Sequence, residues 1–448
     1  MNFTLKPEYH LLMRTYVLPV LLAGAFLSEI NLTLVNGYVP VRLSVGDMII
    51  LASVLGYVFF SWTGLKKVVA GNPVPVTLGL AFILVSMATG CIGGEYWLVS
   101  LKFCIKGCIL FFLLVVIFQD SLVSKGTITA LLAMMVFVNV VGILEYFYSG
   151  QMRGFLLLFK SEASLVPSLP WRVSSIFPNT NTYGVFNAVF IVMALGLILH
   201  HRRLVNRYLC WVSLPLCLVG LFLTSSRNGV LTVVAGTSLI GASLIRSRKG
   251  AWRALLVASC ALAILVAAFS VYEPMARRFV DFVSLGSNAL EGRSFGVEEV
   301  ASAIDLEDRL VIWKNGWALF MEEPVFGIGA SQFLMRNSHP GGKDINMHNI
   351  FGDVLVNHGV VGFSLFIALL AIWFKKAKGA WQAGLIATLL VSHLFDCFAP
   401  YSMIWLVFVA WLVALTTRRP VVMFVKSGSL QPAMSDPGRT DERSVIGQ

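Results

Sequence analysis

The sequence predicts an all-α fold, a polytopic transmembrane helical bundle of about twelve spans with one large, partly helical periplasmic loop. Three observations carry that prediction. The 448 residues are 57% hydrophobic and only 13% charged, with a mean hydropathy of +0.80, whereas soluble chains carry roughly 25% charge. The apolar residues fall in blocks from end to end, many long enough to cross a hydrocarbon core of about 30 Å at roughly 1.5 Å per residue. Finally, Lys and Arg gather in short clusters between alternate blocks. A soluble enzyme with one anchor, a secreted disulfide scaffold and a disordered chain are excluded.

Taken in order, the apolar blocks place spans near 15–30, 44–62, 75–92, 103–119, 127–149, 182–199, 208–224, 229–245, 254–271, 352–374, 380–396 and 402–416. The first block, after Arg14, lacks a small-residue cleavage site and reads as a span, not a leader. Lys66/Lys67, Arg202/Arg203/Arg207, Arg246/Arg248/Lys249/Arg253, Lys375/Lys376/Lys378 and Arg418/Arg419 lie on alternate turns. By the positive-inside rule these turns and both termini are cytoplasmic. The bundle is expected to occupy 1–416, including a periplasmic loop at 272–351. Residues 417–448, rich in Gly, Ser, Pro and charge, form a polar cytoplasmic tail expected to be disordered.

The net charge of +11 is scattered over these turns, with no continuous basic stripe, so no nucleic-acid partner is expected. The seven cysteines lie in or beside apolar blocks without a Cys-x-x-Cys pair and read as small buried hydrophobes. No His-Glu-x-x-His, paired Cys or Asp-x-Asp in an outer loop suggests a metal, and no Walker-type loop suggests a nucleotide. No cofactor is expected, and the energy for any reaction must come from an activated substrate.

Three outer segments remain: about 150–181, ending in the Phe177-Pro178-Asn179-Thr180-Asn181 turn; the tight Ser225-Ser226-Arg227-Asn228-Gly229 turn; and 272–351, which holds nearly half of the chain's Asp and Glu. In the last, Leu306, Leu310, Trp313, Trp317 and Phe320 recur at helical spacing, which predicts an amphipathic helix at the outer interface. Glu145, Asp353 and Asp396 fall near outer helix ends instead of the midplane, and no internal repeat is present. That placement favours surface chemistry over the midplane sites of transporters.

Arg227 stands in a turn where positive charge is disfavoured. It reads either as an interfacial arginine snorkelling to headgroups or as an anion clamp, its planar guanidinium suited to phosphate beside a helix N-terminus. Arg309 and Arg172 lie in the other two outer loops. His348, in Asn346-Met347-His348-Asn349 just before an apolar block, reads either as a helix-start residue or as a general base. His339, His358 and His393 also fall toward the outer side.

Together these motifs resemble the O-antigen ligase / Wzy-type polysaccharide polymerase superfamily. The resemblance rests on Ser226-Arg227-Asn228-Gly229, on Asp308-Arg309 followed by Trp313, Pro324 and Gly327-Ile328-Gly329, and on His348-Asn349, nine residues, then Gly359-Val360-Val361-Gly362. That last pattern is the ligase's His-Asn-x9-Gly-x-x-Gly, although Phe363 replaces the usual Thr or Tyr. Phe177-Pro178-Asn179 resembles the family's Pro-Asn turn, with Asn181 as a second candidate for its asparagine. The likeness covers roughly 170–400.

The resemblance implies a metal-independent membrane glycosyltransferase of the bacterial inner membrane, with a periplasmic active site. It would transfer glycan from undecaprenyl diphosphate to an acceptor hydroxyl. Arg227, Arg309 and Arg172 would bind the diphosphate, His348 would be the catalytic base, and Asn181, Asn349 and Trp313 would contact substrate. The implied partners are the undecaprenyl-diphosphate-linked glycan, a lipid A–core or glycan acceptor, the bilayer, and other polysaccharide assembly proteins. A ligase joining O-antigen to lipid A–core is the first expectation and a polymerase of repeat units the alternative. A flippase of lipid-linked sugars is the reading from another class.

Overall fold

The computed structural model describes residues 52, 70, 73–92, 94, 96–119, 125–157, 172–177, 179–200, 207–244, 307–337, 346–377 and 380–394. Within them the chain is all-helical: α1 (Pro73–Met87, continued by a π turn at Ala88–Ile92), α2 (Trp97–Gln119), α3 (Lys125–Phe147), α4 (Ser149–Leu156), α5 (Thr180–His200), α6 (Arg207–Thr224), α7 (Arg227–Leu244), α8 (Glu307–Glu322), α9 (Gln332–Arg336), α10 (Ile350–Lys376) and α11 (Ala380–Leu394). Three stretches, Pro73–Ile92, Thr180–Leu199 and Ile350–Lys376, are long and apolar enough to cross a membrane. The chain is an integral membrane protein. The spans expected at 15–30, 44–62, 254–271 and 402–416, and the tail 417–448, lie outside the described residues, as do His339 and Asp396.

Elsewhere the apolar blocks and the helices agree within a few residues, with two additions. α2 starts at Trp97, six residues before the expected 103, so that Lys102 and Lys106 lie inside the helix. The short α4, expected to be loop, follows α3 after a single non-helical residue, Tyr148.

α5 is the hub of the bundle. It is apolar on every side, as buried helices are, and α6, α7 and α11 pack against it. α3 packs against α6, and α7 against α11. Membrane helices approach closely where small residues meet. A Cβ on Gly184 of α5 would stand 2.5 Å from Ser226 Cβ, and one on Gly229 of α7 would stand 2.6 Å from Leu221 Cδ1 and 2.9 Å from the Gly184 carbonyl oxygen. The glycine of Ser226-Arg227-Asn228-Gly229 is therefore a contact between α5, α6 and α7.

The second group joins α1, α2, α8, α9 and α10. α10 is broken at Gly359 (φ 62°, ψ −169°), in a region open essentially to glycine. An unbroken helix would pair Val360 N–H with the Val356 carbonyl and Val361 N–H with the Asn357 carbonyl. Instead the Pro324–Gly329 segment lies in the break. Ile328 N–H donates to Val356 O (3.1 Å), Gly329 N–H to Asn357 O (3.0 Å), Val360 N–H to Pro324 O (2.9 Å) and Val361 N–H to Val325 O (3.1 Å). Two helical bonds are exchanged for four, so the break leaves none of those four groups unmatched, as a low-dielectric setting requires. Gly327 (φ 75°) passes against the backbone of His358 and Gly359, where a Cβ would meet His358 N at 2.5 Å. The spacing Gly327…Gly359-x-x-Gly362 is the sequence trace of this splice.

α8 corrects one expectation. Its protein-facing side is built from Ile312, Leu319 and Phe320, packed with Ile328, Phe333, Met347 and Val356, and Trp313 joins the edge of that cluster. Trp317, expected on the same face, is 59% exposed. The reason is Gly316, which is buried against Met347. It brings the helix closest along its own line and rotates the buried face away from Trp317.

Replacing Gly359 by alanine puts a Cβ against the Val325 carbonyl in a glycine-only conformation. A loss of more than about 2 kcal/mol is expected, read as a lowered unfolding temperature of the detergent-purified protein.

Candidate functional site

Around Arg227 the sequence builds a turn tied down by side chains. Ser225 has a left-handed φ of 53°. Thr224 Oγ1 accepts from Ser226 N–H (3.2 Å) and Ser226 Oγ accepts from Gly229 N–H (3.2 Å), so Ser226 caps α7 and Arg227 is its first residue. Asn228 Nδ2 donates to the Ser392 carbonyl (2.9 Å) near the end of α11. Residues 172–177 lie beside this turn. Val173 N–H donates to Leu223 O (3.1 Å), and Arg172 donates from Nε to Thr224 O (2.9 Å) and from Nη2 to Asn181 Oδ1 (2.9 Å). Arg172 and Asn181, from the segment before α5 and from its first turn, are thereby brought to the Arg227 turn.

Glu145, at the end of α3, holds the same loop. One of its carboxylate oxygens accepts from Ser174 N–H (3.3 Å) and Ser175 N–H (2.6 Å), while Ser175 Oγ donates to Val138 O (2.6 Å). Phe177 plugs the loop into the bundle, with ring centroids 5.9 Å from Tyr183 and 4.8 Å from Phe186. The two asparagines of the turn separate by role. Asn179 Oδ1 accepts from Thr182 N–H (3.0 Å) and caps α5, whereas Asn181 meets Arg172.

A second cluster forms around His348. The Trp313 indole N–H donates to the Met347 carbonyl (2.9 Å), which ties α8, with Arg309 in its first turn, to the residue before His348. His348 is half-buried, has a left-handed φ of 49°, and donates its backbone N–H to Asn346 Oδ1 (2.9 Å). Asn349 caps α10, its Oδ1 accepting from Phe351 N–H (2.9 Å) and Gly352 N–H (3.2 Å). Asp353, one turn on, is buried. Trp313 and Asn349, expected to touch substrate, each spend a polar atom on holding the His348 segment.

Helix connectivity puts the two clusters at the same end of the molecule. Only three residues separate the end of α10 at Lys376 from the start of α11 at Ala380, and the two helices are in contact, so Ile350 and Leu394 both lie at the end away from that connection. Asn228 bonds Ser392 at that end. Arg172, Asn181, Arg227 and Glu145 therefore lie toward the end of the bundle at which α5, α7 and α10 begin and α3, α6 and α11 finish, the direction in which the His348 segment and Arg309 also lie.

The other two described outer histidines have internal tasks. His358 is buried in α10, its Nδ1 3.1 Å from Ser86 Oγ and its ring against Phe82 and Phe103. His393 is buried in α11, its Nδ1 2.8 Å from the Leu389 carbonyl. Among the described residues no group of three or more His, Cys, Asp or Glu is arranged to hold a metal ion. Glu145 and Asn228 were not assigned a role from sequence. Their partners lie 29 and 164 residues away, and the only available signal was a carboxylate near an outer helix end.

Glu145→Ala strips the acceptor from two backbone N–H groups, at a cost of about 1–3 kcal/mol. Hydrogen exchange at Ser174 and Ser175 is expected to speed up by about tenfold or more. Trp313→Phe keeps the ring but loses the bond to Met347 O, about 1 kcal/mol, and exchange across 346–350 rises by about fivefold.

Residues 212–367 match the family model described as O-antigen ligase, Wzy_C. The matched stretch contains Arg227, Arg309 and His348 together with the Gly359 splice; Glu145, Arg172 and Asn181 lie before it. No curated protein matches the chain.

Proposed function

Because the chain carries an O-antigen ligase family domain, we propose that it is a metal-independent membrane glycosyltransferase, moving a glycan from undecaprenyl diphosphate to an acceptor hydroxyl at the periplasmic face of the inner membrane. The observation that carries the reading is the inclusion of Arg227, Arg309 and His348 in the one matched domain. A bundle with its cationic and imidazole groups at one end supports it.

In this reading His348 takes the proton from the acceptor hydroxyl as its oxygen attacks the anomeric carbon. The new glycosidic bond forms with inversion as the bond to the diphosphate oxygen breaks. The leaving diphosphate gains negative charge, which Arg227 and Arg309 neutralise. Preorganised donors in a water-poor site are worth far more than water at that step. Arg172 adds its charge from behind the Arg227 turn, two of its donors being committed to Thr224 and Asn181. Asn181, its carbonyl oxygen turned to Arg172, offers its amide N–H groups to substrate. Trp313 and Asn349 line the acceptor side and hold His348 in its left-handed conformation.

His348-Asn349-x9-Gly359-x-x-Gly362 favours a ligase whose acceptor is lipid A–core; Phe363 in place of Thr or Tyr keeps the repeat-unit polymerase as the second reading. A deletion strain separates them. A ligase leaves finished lipid-linked polymer unattached, and a polymerase leaves single repeat units.

With purified protein, lipid-linked glycan and acceptor, transfer is expected without nucleotide and in the presence of EDTA. His348→Ala is expected to lower the rate by about 10²–10⁴-fold, and Arg227→Ala or Arg309→Ala by about 10²–10³-fold. Normal transfer by any one variant removes that residue from the site. Translocation of the lipid-linked glycan with no new glycosidic bond would instead establish the flippase.

A further inference from the structure

α8 carries apolar residues on two faces, and only one of them is covered by protein. On the other side Leu310, Lys314, Trp317 and Met321 follow one another at i, i+4, i+7 and i+11, a single stripe of a helix. Trp317 and Met321 are each 59% exposed. Past the end of α8 the stripe runs on through Val325 (53%) and Phe326 (52%). The neighbouring line, Val311, Asn315, Ala318 and Glu322, is mixed in character and ends in the Glu322–Arg336 ion pair at 2.6 Å. Four large apolar side chains exposed in a row are more than a water-facing helix ordinarily carries.

The Gly359 splice shows what lies next to that row. Through it Val325 sits on Val361 and Pro324 on Val360, bonded backbone to backbone at 3.1 and 2.9 Å. Val360 begins the outward strip of α10, which continues with Ile367 and Phe374 every two turns, all exposed. On a membrane-spanning helix such a strip faces acyl chains. The stripe on α8 and the strip on α10 are continuous.

Length sets the depth. α10 has 27 residues, about 40 Å at 1.5 Å per residue, longer than a hydrocarbon core of about 30 Å. Lys375 and Lys376 mark one boundary. Counting about 20 residues back from them places the other boundary near residues 355–356, within a turn of the splice. Val325 and Phe326 therefore stand at the hydrocarbon edge, with Trp317 and Met321 beside them at the depth where tryptophan concentrates in membranes.

We propose that the Leu310–Trp317–Met321–Phe326 edge is seated in the bilayer, its side chains among the acyl chains of the leaflet nearer His348, and that α8 lies in the membrane interface on this edge while its other face holds the His348 segment. The surface thus has two partners, protein on one side and lipid on the other. The inference rests on exposure, spacing and helix length and does not depend on the enzymatic reading.

The test places a photoreactive benzophenone amino acid, p-benzoylphenylalanine, at position 317, 321, 326 or 322 of the full chain in phosphatidylethanolamine/phosphatidylglycerol nanodiscs. Adducts are read by mass spectrometry. Phospholipid adducts at 317, 321 and 326 at least fivefold above those at 322 are expected. A smaller ratio, or cross-links from these positions to a second copy or another protein, overturns the proposal. Hydroxyl-radical oxidation of Met321 in the unsubstituted protein, in the same nanodiscs, guards against a misfolded variant. A rate more than tenfold below that of N-acetylmethionine amide in the same sample is expected, and any weaker protection overturns the proposal.

Discussion

A membrane helix that breaks must find new partners for the backbone groups it releases, because hydrocarbon offers none. At Gly359 the Pro324–Gly329 segment supplies all four: two carbonyls for the N–H groups of the second half and two N–H groups for the carbonyls of the first. Everything at the Ile350 end of α10 follows from that exchange. It frees the first half of the helix, from Ile350 to His358, to be positioned from α8 and from residues 324–337 instead of from the remainder of its own helix. Proline serves well at the start of the segment, since it contributes a carbonyl and brings no N–H of its own.

The polar groups of the two clusters obey one logic. Four of the charged or amide side chains near the proposed site are held by backbone groups: Glu145 by two N–H groups, Arg172 by the Thr224 carbonyl, Asn228 by the Ser392 carbonyl, Asn349 by the first turn of α10. Backbone partners are fixed by helix packing, so the side chains lose little further entropy on meeting a ligand. That is the condition under which fixed donors act on a developing charge without reorganising.

Much of this was legible in the sequence. Hydropathy located the helices because a membrane span has to be apolar along its whole length, and Ser226, Asn179 and Asn349 occupy helix starts where capping residues belong. The motif glycines stood in the sequence only as a spacing, and the structure shows them to be points of close approach. Less legible was which face of α8 is buried. With apolar residues on two sides, spacing alone does not distinguish the line through Ile312 and Gly316 from that through Leu310 and Trp317. Glu145 and Asn228 stayed unassigned because a hydrogen bond across 29 or 164 residues leaves no trace in local pattern. The short α4 is hard to read because its Met152, Phe155 and Leu156 spacing is confined to eight residues that also hold Gly150, Gln151, Arg153 and Gly154.

The splice also has a consequence for biogenesis. Residues 324–329 are synthesised before the glycine that receives them, and the residues just after them, Ala330 and Gln332, are bonded to Ser100 and Tyr96, more than 200 residues earlier in the chain. The segment therefore has to wait, its carbonyls and amides hydrated, until Gly359 and the helix around it have been made. The packing around the His348 segment thus closes late, and a chain truncated before Gly359 could not form it.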